Sequence, residues 1–236
     1  MMRKLMTMRA FLEDPSYMGG EDMLAGESWR AWRIVLIAAM GEVLALDERV
    51  TFKQLTDRHQ EPGVPVEEFW GIVGRRGGKS RAIAALGVYL ATCVDHRAVL
   101  APGQFGLVPI LSASQKQASE ILNYIVGMFA TAPGLKGMLA TEPTAETVTL
   151  KSRIELQIRA ASFRRARGFT AVAAIGDEAC WWRSEQSANP DVEIGTPCVR
   201  RWRQPAALSS SSVLPTRRRV RCTAPTRSIM DPMATR

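Results

Sequence analysis

Residues 70–80 read WGIVGRRGGKS, and apolar residues at helical spacing follow them. The pattern predicts a strand over 69–73, a glycine-rich turn over 74–78 and a helix over 79–92. Glycines in such a turn let backbone N–H groups approach phosphate oxygens, and the dipole of the following helix favours the same anion. The stretch therefore predicts a phosphate-binding loop between a strand and a helix, an arrangement typical of α/β proteins.

Five residues of this loop are candidate nucleotide contacts. A lysine at the start of the helix reaches the β- and γ-phosphates, and the hydroxyl beside it can bind Mg²⁺. These candidates are Gly74, Gly77, Gly78, Lys79 and Ser80. Val73 stands where the usual G-x-x-x-x-G-K-[ST] pattern has its first glycine. The alternative interpretation is a chance GGKS in an ordinary loop.

A second group of candidates follows an apolar segment later in the chain. Residues 171–175 are apolar and predict a buried strand, and Asp177 and Glu178 come directly after it. Mg²⁺ bound to ATP needs a carboxylate, which Asp177 can supply. Hydrolysis needs a group that orients the attacking water, and Glu178 is the next side chain. An Asp-Glu pair alone is common, but downstream of a phosphate loop it favours an ATPase over a simple nucleotide-binding protein.

Strands and helices alternate over much of the remaining chain. Helices are predicted over 28–46, with Ser28 as N-cap, and over 115–129, with Ser114 as cap. The predicted strands are 98–101, 107–111 and a hairpin of 147–150 with 154–158. Such alternation predicts a mainly parallel sheet with helices on both faces.

Composition divides the chain into four parts. Residues 1–26 are methionine-rich with glycine breakers and are expected to form a loose leader. A helical segment over 27–65 ends in a loop over 61–65, and 66–194 hold the phosphate loop and the acids. The remaining residues, 195–236, form a tail rich in Arg, Ser and Pro without a periodic apolar pattern.

Length and composition narrow the class of protein. The 236 residues, 46% of them hydrophobic and 23% charged, suffice for one sizeable α/β domain or for a large domain with a small appendage. No apolar run is long enough for a transmembrane helix, so no membrane partner is expected. The four cysteines show no C-x-x-C pairing and suit a reducing compartment better than a disulfide framework or a zinc site.

The tail over 195–236 carries the whole net charge of +8, with nine arginines and one acid. One interpretation is a disordered basic arm that binds DNA. The favoured one is a change of reading frame. If the four serines of 209–212 have TCN codons, a neighbouring frame reads NTC codons, which encode only Phe, Leu, Ile or Val. One permitted back-translation spells an aliphatic strand there, so the tail is expected to be out of frame and the sheet incomplete on its C-terminal side.

The arginine-bearing loop and the strand ending in acids together resemble the ATPase domain of the large terminase subunit of tailed bacteriophages. The resemblance covers roughly residues 50–194 and includes WWRSE at 181–185. It implies a P-loop NTPase fold and ATP hydrolysis that packages double-stranded DNA into proheads. It also implies an oligomeric motor at the prohead portal in the host cytoplasm, with the portal and the small terminase subunit as partners. The coupling motif and the nuclease domain of such a motor would be absent from this product.

The resemblance also assigns roles to individual residues of the Walker A and Walker B motifs. Arg75 or Arg76 would sense or stabilise the γ-phosphate, the alternative being an exposed loop charge. Lys79 and Ser80 would contact the nucleotide. Asp177 would bind Mg²⁺, and Glu178 would be the catalytic carboxylate.

Weaker candidates keep two interpretations each. Phe69 and Trp70 could stack on adenine, although strand core is favoured for both. Gln54 or Gln60 could read adenine, although an exposed polar residue is favoured for each. The basic turn over 162–170 could touch DNA or nucleotide phosphates, or be a solvated loop.

Two rival functions stay open. One is a helicase-type P-loop ATPase, and the other is a non-catalytic fragment that binds DNA through its basic tail. His59 and His96 show no metal-ligand spacing and are expected to be structural or surface residues.

Overall fold

The computed structural model describes residues 3–74, 76–160 and 169–179. Its helices are α1 (Met8–Glu13), α2 (Arg30–Ala39), α3 (Leu46–Thr56), α4 (Lys79–Thr92), α5 (Gln115–Thr131) and α6 (Pro133–Lys136). Its strands are β1 (Arg3–Lys4), β2 (Val94–Asp95), β3 (Gly106–Ser112), β4 (Thr147–Thr149), β5 (Ile154–Ala160), β6 (Thr170–Ala171) and β7 (Ile175–Gly176). No helix among these residues is long and apolar enough to cross a bilayer.

The centre of the molecule is a mixed sheet of five strands. Strand β3 is buried along its whole length and pairs in parallel with β5, β6 and β7, whereas β4 is antiparallel to β5. Helices α4 and α5 pack against each other and against the sheet. The prediction of an α/β fold with mainly parallel strands flanked by helices is therefore confirmed at this level.

Several predicted elements are confirmed with nearly the expected bounds. Helix α4 spans the predicted 79–92, and α5 begins at Gln115 after Ser114, whose side chain accepts a hydrogen bond from the Gln117 N–H. The strand over 107–111 and the hairpin of β4 with β5 are also present. Gly87 lets α4 approach β7 closely, because a Cβ there would lie 2.4 Å from Cδ1 of Ile175.

The expected loose leader is wrong over residues 3–26. Helix α1 is capped by Thr7, and its Phe11 and Leu12 side chains are buried in the core. The carboxylate of Glu42 accepts hydrogen bonds from the Met8 and Arg9 N–H groups. The methionine- and glycine-rich composition predicts a loose leader because the partners that bury this segment lie far away in sequence.

The predicted helix over 28–46 is wrong at both ends. Ser28 lies in a 3₁₀ turn, Glu27–Trp29, so it is not the N-cap of α2. The helix ends at Ala39, and Gly41 turns the chain with a φ of 70°. A Cβ at Gly41 would lie 2.2 Å from the Val64 carbonyl carbon, so the contact with the loop over 61–65 requires glycine there.

Two further predicted strands are wrong. Residues 98–101 form turns, and the short strand nearby is β2, which pairs with β1. Residues 69–73 have no regular structure, and Trp70 and Ile72 are 67% and 88% exposed. An apolar run becomes a strand only if a neighbouring strand accepts its hydrogen bonds, and no described strand pairs with this one.

The predicted strand over 171–175 is present only as two short pieces. Strands β6 and β7 each pair with β3 and are separated by residues 172–174. Arg75, most of the basic turn over 162–170, the WWRSE segment at 181–185 and the tail over 195–236 lie outside the described residues.

Candidate functional site

Lys79 lies between the two acids that the sequence singled out. Its Nζ is 3.1 Å from Oδ1 of Asp177 and 3.2 Å from Oε1 of Glu178. The side chain of Asp177 is 8% exposed, that of Glu178 31% and that of Lys79 36%. The three charges therefore form a cluster that is buried on the aspartate side and open to solvent on the other.

The sheet brings Asp177 to this position. Its N–H donates to the Leu111 carbonyl at 2.9 Å, which continues the pairing of β7 with β3 beyond Gly176. Side chains of successive residues in an extended strand point to opposite faces. Glu178 has a φ of 51°, so the chain leaves the extended conformation there and both carboxylates reach the same ammonium group.

The acids also hold Lys79 in its charged form. Burial lowers the pKa of Lys79, but the hydrogen bonds and charges of Asp177 and Glu178 outweigh this effect and leave the pKa raised. The lysine is therefore a fixed positive charge at the beginning of α4.

Gln117 links Glu178 to the beginning of α5. Its Nε2 donates to Oε2 of Glu178, and its Oε1 accepts hydrogen bonds from the hydroxyls of Ser112 and Ser114, each at 3.1 Å. A carboxylate only accepts hydrogen bonds, so the NH₂ group of the amide faces Glu178 and its oxygen faces the two hydroxyls. The Glu178 carboxylate is thus held from two sides, by Gln117 and by Lys79.

The predicted phosphate loop, residues 74–78, turns tightly before α4. The Gly77 N–H donates to the Gly74 carbonyl at 3.3 Å, and Gly78, the N-cap of α4, has a left-handed φ of 72°. Val73 stands at the position of the usual first glycine. A Cβ added to Gly77 would lie 2.4 Å from Cγ1 of Val73, so the two residues are in close contact. Arg76 also has a positive φ, 63°, and is exposed.

The available donors fit a Mg²⁺–nucleotide complex in kind. Asp177 offers a carboxylate and Ser80, half-buried at the second position of α4, offers a hydroxyl. Mg²⁺ takes one or two such ligands from a protein and the others from phosphates and water. No group of three or more His, Cys, Asp or Glu side chains suited to a metal occurs among the described residues.

The other candidates lie outside this cluster of contacts. Phe69 and Trp70 are exposed, so the prediction that they are strand core is wrong. Gln54 and Gln60 are exposed polar residues, as expected. Of the two histidines, His59 is exposed, and the buried His96 bonds through Nε2 to the Leu90 carbonyl at 2.7 Å.

Three residues at the site were missed from the sequence. Gln117 stands three residues after Ser114, a spacing typical of a helix capping box. This spacing predicts a role in capping α5 and gives no indication of the contact with Glu178. Trp29 and Trp32 belong to the apolar periodicity of the predicted helix over 28–46, yet both contact the phosphate loop. Nothing in a periodic pattern distinguishes a tryptophan that fills a core from one that touches a loop.

No protein-family model matches the chain, and no curated protein shows significant sequence similarity to it.

Proposed function

We propose that the chain is the ATPase core of a phage large terminase subunit, a P-loop NTPase that binds ATP with Mg²⁺. The observation that carries the proposal is the convergence of Lys79, Asp177 and Glu178, which the sequence alone had marked as Walker A and Walker B residues. A chance GGKS would have no reason to lie against two acids at the end of a parallel strand.

Each residue of the cluster has a part in hydrolysis. Lys79 would bind the β- and γ-phosphates, and Gly78 and the first turn of α4 would offer N–H groups to the phosphate oxygens, whereas the Gly77 N–H donates to the Gly74 carbonyl within the loop. Asp177 and Ser80 would hold Mg²⁺, which neutralises phosphate charge when it is bound.

Glu178 would orient the attacking water. The water oxygen forms a bond to the γ-phosphorus while the bond to the β–γ bridging oxygen breaks, and the Glu178 carboxylate accepts a hydrogen bond from that water. Its contact with Gln117 holds the carboxylate in place. Arg76 or Arg75 would stabilise the charge that develops on the γ-phosphate.

In the intact motor this hydrolysis would drive double-stranded DNA into proheads. The family resemblance suggests an oligomer at the portal in the host cytoplasm, with the small terminase subunit as a further partner.

Calorimetric titration with MgATP tests the proposal. Lys79→Ala is expected to abolish binding, because the phosphates lose their point charge, whereas Glu178→Gln is expected to bind and to lose hydrolysis. Lys116→Ala, the same change at an exposed lysine of α5, is the control and should bind as the parent does. Equal affinity of the parent and Lys79→Ala for MgATP would refute the assignment.

A second candidate function, DNA binding through the tail, is favoured by the nine arginines of residues 195–236. Under the frame-change hypothesis, the chain hydrolyses ATP poorly even with DNA present, and deleting the tail changes neither ATP binding nor residual turnover. Its DNA binding should be weak, independent of sequence and lost steeply as salt rises. A DNA-stimulated turnover that disappears with the tail would instead establish an evolved DNA-binding arm.

A further inference from the structure

Two tryptophans from the N-terminal part of the chain contact the phosphate loop. Nε1 of Trp32, a residue only 9% exposed, donates to the Gly77 carbonyl at 2.7 Å. The ring of Trp29 lies beside Gly78, where a Cβ would be 2.7 Å from its Cζ3. The N-terminal segment therefore contacts two successive residues of the loop, one by a hydrogen bond and one by packing.

The Trp32 hydrogen bond determines how the peptide between Gly77 and Gly78 is oriented. The C=O and N–H of a trans peptide point in opposite directions, so a carbonyl held by Trp32 directs the Gly78 N–H away from that indole. Arg76 and Gly78 have φ values of 63° and 72°, and left-handed residues in a turn let successive N–H groups converge on an anion. A flipped peptide would present an oxygen to the anion instead of a hydrogen.

Trp29 is itself held in place. The guanidinium of Arg81 lies 5.3 Å from the centre of the Trp29 ring and also donates to the Asp22 carbonyl. Because Arg81 belongs to the first turn of α4, the ring is connected to the helix that begins at Lys79. The Trp29 ring thus lies against Gly78 and also contacts Arg81, three residues further along the chain.

We propose that Trp32 is a positioning residue for polyphosphate binding, which fixes the 77–78 peptide with its N–H available to phosphate, and that Trp29 supports the same conformation. The inference rests on the proposed function only in taking the anion to be the polyphosphate of a nucleotide. It assigns to the N-terminal segment a part in ligand binding that lies outside the loop motif.

Trp32→Phe tests the proposal, because it keeps an aromatic ring and removes the N–H. The affinity for MgATP and for inorganic tripolyphosphate is expected to fall about three- to tenfold, the effect of losing one hydrogen bond. Trp202→Phe makes the same change in the tail and is the matched control. Unchanged affinity in a folded Trp32→Phe variant would overturn the proposal and leave the proposed function standing.

A measurement on the unaltered chain covers the case in which Trp32→Phe fails to fold. The Trp32 indole N–H should exchange with solvent more slowly than that of the exposed Trp70, and tripolyphosphate should slow it further and shift the Gly78 amide resonance. Exchange as fast as that of Trp70 would overturn the proposal. Binding of tripolyphosphate without binding of ATP would refute the proposed function alone, whereas binding of neither would refute both.

Discussion

Lys79→Met should cost stability in the absence of any nucleotide, because Lys79 joins α4 to the end of β7. The substitution keeps most of the aliphatic stem and removes the ammonium group. It leaves the carboxylates of Asp177 and Glu178, now without the charge that lay 3.1 Å and 3.2 Å from them, close to each other. The destabilisation therefore includes a lost attraction and a repulsion that the lysine had offset.

The exposure of the three side chains sets the size of the effect. A hydrogen bond to a charged group contributes about 1.5–3 kcal/mol when buried, and an exposed ion pair about 0.2–1 kcal/mol. Asp177 is buried but Lys79 is 36% exposed, so solvent screens part of the interaction. An intermediate loss of about 1.5 kcal/mol is expected, which corresponds to a melting temperature lower by roughly 3–6 °C for a chain of this size.

Thermal unfolding of four proteins checks this value: the parent, Lys79→Met, Asp177→Asn and the double variant. In the Asp177→Asn background Lys79→Met should cost about 1 kcal/mol less than in the parent, because the partner is already neutral. Lys116→Met, at an exposed lysine, should change the free energy of unfolding by less than about 0.5 kcal/mol. Strict additivity of the two substitutions at the site would refute the ion pair.

The dependence of stability on pH in the alkaline range provides a second test of the same interaction. The carboxylates raise the pKa of Lys79, so the stabilisation is complete below the unfolded-state pKa of about 10.4 and is lost as the pH rises through the folded-state value. The difference in stability between the parent and Lys79→Met should therefore be constant from neutral pH upward and shrink in strong alkali. A difference that grew with pH would have the wrong sign.

Three further predictions concern the surrounding fold. Phe11→Ala should lower the free energy of unfolding in urea by about 3–5 kcal/mol, since the ring is fully buried, whereas a loose leader would give no change. Glu61→Gln should cost about 1 kcal/mol at pH 7. Hydrogen bonds from Arg49 hold the pKa of Glu61 at about 2, so this difference should begin to shrink near pH 4.3 and be lost as the pH falls through about 2. Gln117→Ala should cost about 2 kcal/mol in the same assay because the buried Ser112 hydroxyl loses its acceptor, and an unchanged midpoint would contradict that contact.

The elements that the sequence predicts well are those with local signals. Helix α5 has a capping serine and a long apolar periodicity, and α4 follows two glycines, which are unfavourable inside a helix, so both helices begin where expected. Helix α1 has an N-cap of its own, Thr7, but it is too short to show periodicity. It is stabilised by burial and by the Glu42 carboxylate, more than thirty residues away, and no local pattern can report such a partner.

The site divides in the same way. The identities of Lys79, Asp177 and Glu178 follow from chemistry at fixed spacing after a strand or a turn. Their convergence depends on β7 lying beside β3 and on α4 crossing β7 at Gly87, which is a property of the sheet. The contacts of Gln117 and Trp32 come from elements that carry no functional motif, so the sequence could only predict helices there.

The two segments where the sequence predicts central strands and the structure departs from them have a common requirement. Residues 69–73 and 171–175 both have the apolar composition of buried strands, and they lead into the phosphate loop and into the acids. Among the described residues, β6 and β7 pair with β3 alone, and 69–73 pair with no strand.

One further strand beside β7 would give both segments a hydrogen-bonding neighbour, and the frame-change hypothesis places an aliphatic strand at the codons of 209–212. We therefore expect that restoring the frame after residue 194 protects the amides of 69–73 from hydrogen exchange and buries Ile72. Unchanged exchange at those amides in the restored chain would contradict this expectation, because the missing neighbour would then not be the reason why 69–73 form no strand.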